Sequence, residues 1–148
     1  MPLSLRESIA RSQELPRSDV VLMGRAQLLE QADRDLVEAV LVRGQPASLI
    51  ARMMGVGPRI VRTRVKRLGR RLVSQRFLDA ARALAYLEAD DVTLARLRFC
   101  GGLNLDALSQ RLNVPIYTLR RRLDRISAQI VVIHRLTRAA ACLRPCQN

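Results

Sequence analysis

Apolar residues recur along this chain at helical rather than alternating spacing, with polar or glycine-bearing stretches between the runs. Ser4 followed by Glu7 has the form of a capping box and predicts a short helix over 4–14, with Leu5 and Ile9 on one face and Leu15-Pro16 ending it. Ser18 is placed to cap a second helix over 18–31, whose stripe is Val21, Leu22, Leu28 and Leu29 despite Gly24 in its middle. These two helices make an N-terminal helical arm, residues 1–31.

From Asp33 onward the pattern occurs twice, because sliding the chain on itself by 58 residues aligns two stretches without a gap. Asp33 meets Asp91, Leu36 meets Leu94, Gly44 meets Gly102 and Val56 meets Val114, while Arg62, Arg64 and Arg67 meet Arg120, Arg122 and Arg125. Conservative pairs fill the gaps, among them Ile50 with Leu108, Met54 with Leu112, Val61 with Leu119 and Val65 with Leu123.

Each copy predicts three helices: 33–43 and 91–100 before a glycine, 47–54 and 105–112 after it, and a long third helix from Pro58 or Ile116. Gly55-Val56-Gly57 and Asn113-Val114-Pro115 form the second turn, where Gly or Asn supplies a left-handed residue and the valine plugs the turn. The third helices bury Val61, Val65, Leu68 and Leu72, or Leu119, Leu123, Ile126 and Ile130. Their other faces then carry Arg59, Arg62, Thr63 and Lys66, or Tyr117, Arg120, Arg121 and Asp124. Helical patterning continues over 74–88 and 127–143, Gly69 weakens the first join, and 144–148 reads as a frayed tail. The units are therefore 32–88, a first copy with a linker helix, and 89–148, a second copy with a terminal helix and tail.

Composition sharpens this into an all-α expectation. The chain has 148 residues, room for one compact domain or two small ones. Apolar residues are 49% and aromatic residues only 3%, so aliphatic helical stripes, not sandwiches, build the core. A net charge of +13, carried almost wholly by arginine, seeks a polyanion. Arginine forks match phosphates and guanine edges, which favours nucleic acid over a membrane surface.

Other chemistries find little to stand on. No apolar run reaches the roughly 18 residues of a membrane span, and Glu7, Glu14 and Asp19 argue against a targeting leader, so a cytoplasmic, nucleoid-associated protein is expected. Cys100, Cys142 and Cys146 are odd in number and lack zinc-ligand company, so free thiols and no metal are expected. His134 has no partner at ligand spacing and reads as a packed or surface residue. Ser4, Ser8, Arg11 and Ser12 have no catalytic domain around them, and no phosphate loop or nucleophile–base pair is present, so neither an enzyme nor a cofactor or small-molecule ligand is expected.

With these residues in view the second copy resembles region 4 of the sigma-70 family and the related LuxR-type domains. The likeness runs through Leu97-Arg98-Phe99, Gly102-Leu103-Asn104, Ala107-Leu108-Ser109, Leu112-Asn113-Val114-Pro115 and Thr118-Leu119-Arg120-Arg121-Arg122-Leu123. The first copy is similar through Gly44, Leu49-Ile50-Ala51, Met54-Gly55-Val56-Gly57 and Ile60-Val61-Arg62-Thr63-Arg64-Val65. Such a resemblance implies tandem helix-turn-helix units whose third helices enter the DNA major groove. Arg59, Arg62, Thr63 and Lys66 would face bases, and Ser48, Arg64, Arg67, Arg70 and Arg71 would hold phosphates. Tyr117, Arg120 and Arg121, with Arg122 and Arg125, are the second copy's candidates. Gly57 and Pro115 depart from the family's capping serine, and Asp124 stands where the first copy has Lys66, so weaker DNA binding is expected of the second copy.

Double-stranded DNA is the expected partner, since helix docking needs the wide B-form major groove. Three readings compete: a transcription regulator, acting singly or as a homodimer; an interaction module gripping RNA polymerase; and a sequence-blind compaction protein.

Overall fold

The computed structural model describes residues 18–142. The helix expected over 4–14, Cys146 and the tail from 144 lie outside the described residues. Those described form eight α-helices and no strand, an all-α fold.

The first compact unit ends at Ser74. It contains α1 (Asp19–Ala26), α2 (Gln31–Val37), α3 (Ala47–Met54) and α4 (Pro58–Val73). The second runs from Gln75 and contains α5 (Gln75–Ala83), α6 (Ala89–Ala95), α7 (Leu105–Leu112) and α8 (Ile116–Cys142).

The 58-residue shift maps α2 onto α6, α3 onto α7, and the start of α4 onto the start of α8, residue for residue. It also maps features that no pattern of apolar residues predicts. Both α2 and α6 run on through a wide π-helical turn, Glu38–Val42 and Arg96–Cys100. Arg43 N–H donates to Glu38 O at 2.9 Å and Gly101 N–H to Arg96 O at 2.8 Å, the same bond in each copy. Gly44 and Gly102 follow with φ of +67° and +72°, reversing the chain into the short helix. Gly55 and Asn113, at φ +66° and +51°, make the second reversal, and the N–H groups of Val56 and Val114 close it onto Ala51 O and Ser109 O. Both turns follow the conformation expected from the sequence.

Three differences from the sequence reading have physical causes. The helix expected over 18–31 stops at Ala26, because a tight turn then drops Leu29 into the core, where it is 1% exposed. Gly69 does not break α4; it is buried inside the helix, and the break comes at Ser74, which is extended and donates from Oγ to Arg71 O. The linker helix expected to close the first unit packs in the second instead. Phe77, Ala80 and Ala83 on α5 are fully buried there, against α8 and the turn after α6. The repeat therefore begins earlier than Asp33: the identical pairs Leu29-Glu30 and Leu87-Glu88 precede α2 and α6, and one helix, α1 or α5, comes before each pair, though not in register with the 58-residue shift.

Each core is the aliphatic stripe expected. Val61, Val65, Leu68 and Leu72 on α4 are at most 2% exposed, and Leu119, Leu123, Ile126 and Ile130 on α8 are buried in their own unit. Past Ile130 none of residues 131–142 is buried, so the end of α8 projects beyond that stripe. No helix among the described residues is long and apolar enough to cross a membrane.

Candidate nucleic-acid interface

Burying one stripe of α4 forces the rest of its surface outward. Arg59, Arg62, Thr63, Lys66, Arg67 and Arg70 are exposed, as is Ser48 on α3, while Arg64 and Arg71 are half-buried. Seven basic residues and no acid lie on α4. The same sixteen positions of α8, 116–131, carry four basic residues and Asp124. Tyr117, Arg120, Arg121 and Arg125 are exposed there and Arg122 is half-buried. Like charges at helical spacing repel one another, so a polyanion relieves α4 more than α8.

Gly57 precedes α4 without a side-chain cap, as its sequence required. Pro58 removes one orphan N–H at the first helical position, and Ile60 N–H bonds to Gly57 O at 3.0 Å. The α4 N-terminus thus carries a partial positive charge with no acid in its first turn.

Part of the expected phosphate-binding set is used inside the protein. Asp33 lies in the first turn of α2 and accepts from Arg64, with Nε at 2.8 Å and Nη2 at 2.6 Å from Oδ1. One repeat later Asp91, in the first turn of α6, accepts Arg122 Nη2 at 2.8 Å on Oδ1 and Arg125 Nη2 at 2.7 Å on Oδ2. Arg64 and Arg122, read from sequence as contacts to nucleic acid, are therefore first of all struts tying the third helix to the first helix of each copy. Arg125 shares that role but keeps its side chain 57% exposed. Burial raises the proton affinity of the Asp91 carboxylate, yet the hydrogen bonds and charges of Arg122 and Arg125 outweigh it and hold its pKa below the ordinary value. Asp33 and Asp91 were absent from the sequence-based site, although their identity across the repeat, together with that of Arg64 and Arg122, was the available signal.

Apolar exposure also separates the copies. Leu49, Met53, Met54 and Ile60 are 41%, 76%, 46% and 60% exposed in the first unit. Ala107, Arg111, Leu112 and Thr118 occupy those places in the second. Ile60 thus adds an aliphatic tip to a helix face otherwise made of cations and Thr63.

Away from these helices, His134 is half-buried, with Nδ1 2.8 Å from Asp79 Oδ1 but without the alignment of a hydrogen bond. Asp79 also receives Gln75 Nε2 at 2.6 Å. Cys100 is buried and Cys142 exposed. Among the described residues no group of three or more His, Cys, Asp or Glu side chains is placed to hold a metal ion.

No protein family, curated protein or solved structure matches the chain.

Proposed function

We propose that the chain is a nucleoid-associated regulator that binds double-stranded DNA, with α3–α4 and α7–α8 acting as two helix-turn-helix units whose long helices enter the major groove. The observation that carries this reading is α4: a helix with one wholly buried stripe, seven cations and no acid, with Arg59, Arg62, Arg67 and Arg70 exposed around Thr63 and Ile60. Guanidiniums on such a face can fork onto guanine edges, and an aliphatic tip such as Ile60 fits a thymine methyl. In this reading Arg59, Arg62, Thr63 and Lys66 read bases, joined by Arg120 and Arg121, while Ser48, Arg67, Arg70 and Arg71 hold the backbone.

Selection of bound fragments from random DNA, read by sequencing, tests it directly: one enriched motif is expected. On that motif Arg62→Ala combined with Arg120→Ala should lose affinity at least about tenfold with helicity unchanged. Unchanged affinity of the double variant would remove the groove-reading role. Equal affinity for random and selected DNA, with a steep salt dependence, would leave only compaction.

Asp124 favours a second reading for the second unit alone. An exposed acid in the place of Lys66 weakens DNA contact and suits a basic protein surface, as when one unit grips RNA polymerase. Capture of polymerase subunits that Asp124→Lys abolishes would establish it.

A further inference from the structure

A cleft of about 400 Å³ opens on the second unit, lined by Tyr117, Thr118, Arg121, Arg122 and Arg125 of α8, with no carboxylate in its wall among the described residues. Asp91, only 3% exposed, reaches two of these arginines from α6. It takes one Nη2 donor of Arg125, and from Arg122 the Nη2 donor at 2.8 Å and Nε at 3.3 Å. Each guanidinium has five N–H donors, so both arginines are fixed by the buried carboxylate and still have donors to offer. Their side chains are 31% and 57% exposed, open to a ligand. Arg121 lies 5.8 Å from the centroid of the Tyr117 ring, and Tyr117 is 69% exposed.

Among the described residues, the three guanidiniums of the lining against the one carboxylate that pairs with them leave a formal charge of +2. A dianionic, multi-oxygen group matches that charge and donor geometry better than a single carboxylate, and the tyrosine ring beside it offers a stacking face for a planar base. In the first unit the equivalents of Tyr117, Thr118 and Arg121 are Arg59, Ile60 and Thr63, so the aromatic platform is missing there and a guanidinium stands in its place.

We propose that this cleft is a binding site for a phosphate ester, with Arg122 and Arg125 as a guanidinium fork held by Asp91, Arg121 as a third donor and Tyr117 as the platform for an attached base. It rests on the DNA-binding reading only where two adjacent diesters of a duplex backbone supply the charge, Arg121 then holding backbone and not a base; a free nucleotide monoester carries both charges on one phosphate.

The full chain, labelled at arginine Nε, is titrated by NMR with pyrophosphate, thymidine monophosphate and duplex DNA. Saturable shifts of the Arg122 and Arg125 signals with pyrophosphate are expected. Arg125→Gln should weaken pyrophosphate about tenfold, whereas Arg135→Gln, at an exposed arginine further along α8, should change it less than about twofold. Asp91→Asn discriminates most sharply: removing a negative charge tightens any merely electrostatic site, but a fork that has lost its anchor binds more weakly. Should that variant unfold the second unit, Arg125→Gln decides alone. Saturation by thymidine monophosphate assigns the phosphate to a free nucleotide, and saturation by duplex assigns it to the DNA backbone. Arg122 and Arg125 signals unmoved by all three probes would overturn the site, even where duplex binding through Arg62 and Arg120 persists. A fork saturated by pyrophosphate in a chain indifferent to DNA would instead overturn only the DNA reading.

Discussion

Asp91 concentrates the chemistry of the second unit in one side chain. It is buried, accepts from two arginines on α8, and has its pKa held below the ordinary value by those hydrogen bonds and charges, against the upward push of burial. Since the folded value lies under the unfolded one, the stability this carboxylate brings is whole above about pH 4 and is lost as pH falls through the folded value. Asp91→Asn should cost about 1–3 kcal/mol at neutral pH and flatten the acid-side loss of stability. Urea unfolding at neutral and at acid pH measures both effects. Equal acid-side losses in the two proteins would show that the carboxylate titrates as it does in an unfolded chain.

Elements follow from such residues where the local signal is strong. The bounds of α3 and α7 and the starts of α4 and α8 were legible, because a helix between a glycine turn and an αL residue is fixed by local chemistry at both ends. The π-helical turns were not, since widening a turn by one residue leaves helical spacing almost unchanged. Gly101 stands where the first copy has Arg43 in nearly the same backbone conformation, so any demand for glycine belongs to the second copy's own packing. The φ of −73° at Gly101 suits any residue, but a Cβ there would lie 2.8 Å from the backbone oxygen of Leu97. Gly101→Ala should therefore destabilise the second unit by about 1–3 kcal/mol, through a clash that the backbone must move to relieve. Thermal unfolding of the variant tests this, and an unchanged midpoint would mean that the turn relaxes freely. The candidate interface was legible for a similar reason and to a similar depth. Exposure of Arg59, Arg62 and Lys66 follows from helical period alone, whereas the ion pairs of Arg64, Arg122 and Arg125 depend on where α2 and α6 bring Asp33 and Asp91. Periodicity places a side chain on a face; only packing says what that face meets.

At the scale of the whole molecule, the point at which the repeat divides determines what can fold alone. The division at Ser74, against one at residue 88, turns on α5, whose Phe77, Ala80 and Ala83 have no exposed surface and whose Arg76 lies 5.0 Å from the Phe99 ring centroid. Removing a buried Phe side chain alone costs about 3–5 kcal/mol, comparable with the entire stability expected of so small a unit. A fragment spanning 75–148 should therefore keep its helicity and unfold sharply on heating. The shorter fragment 89–148, which has every helix of the second copy but not α5, should melt broadly with Phe99 and Ile130 uncovered. Circular dichroism during heating distinguishes the two. Cooperative unfolding of 89–148 would show that α5 is a connector after all, whereas its loss of cooperativity would make α5 a structural part of the second unit, as the burial of Phe77, Ala80 and Ala83 requires.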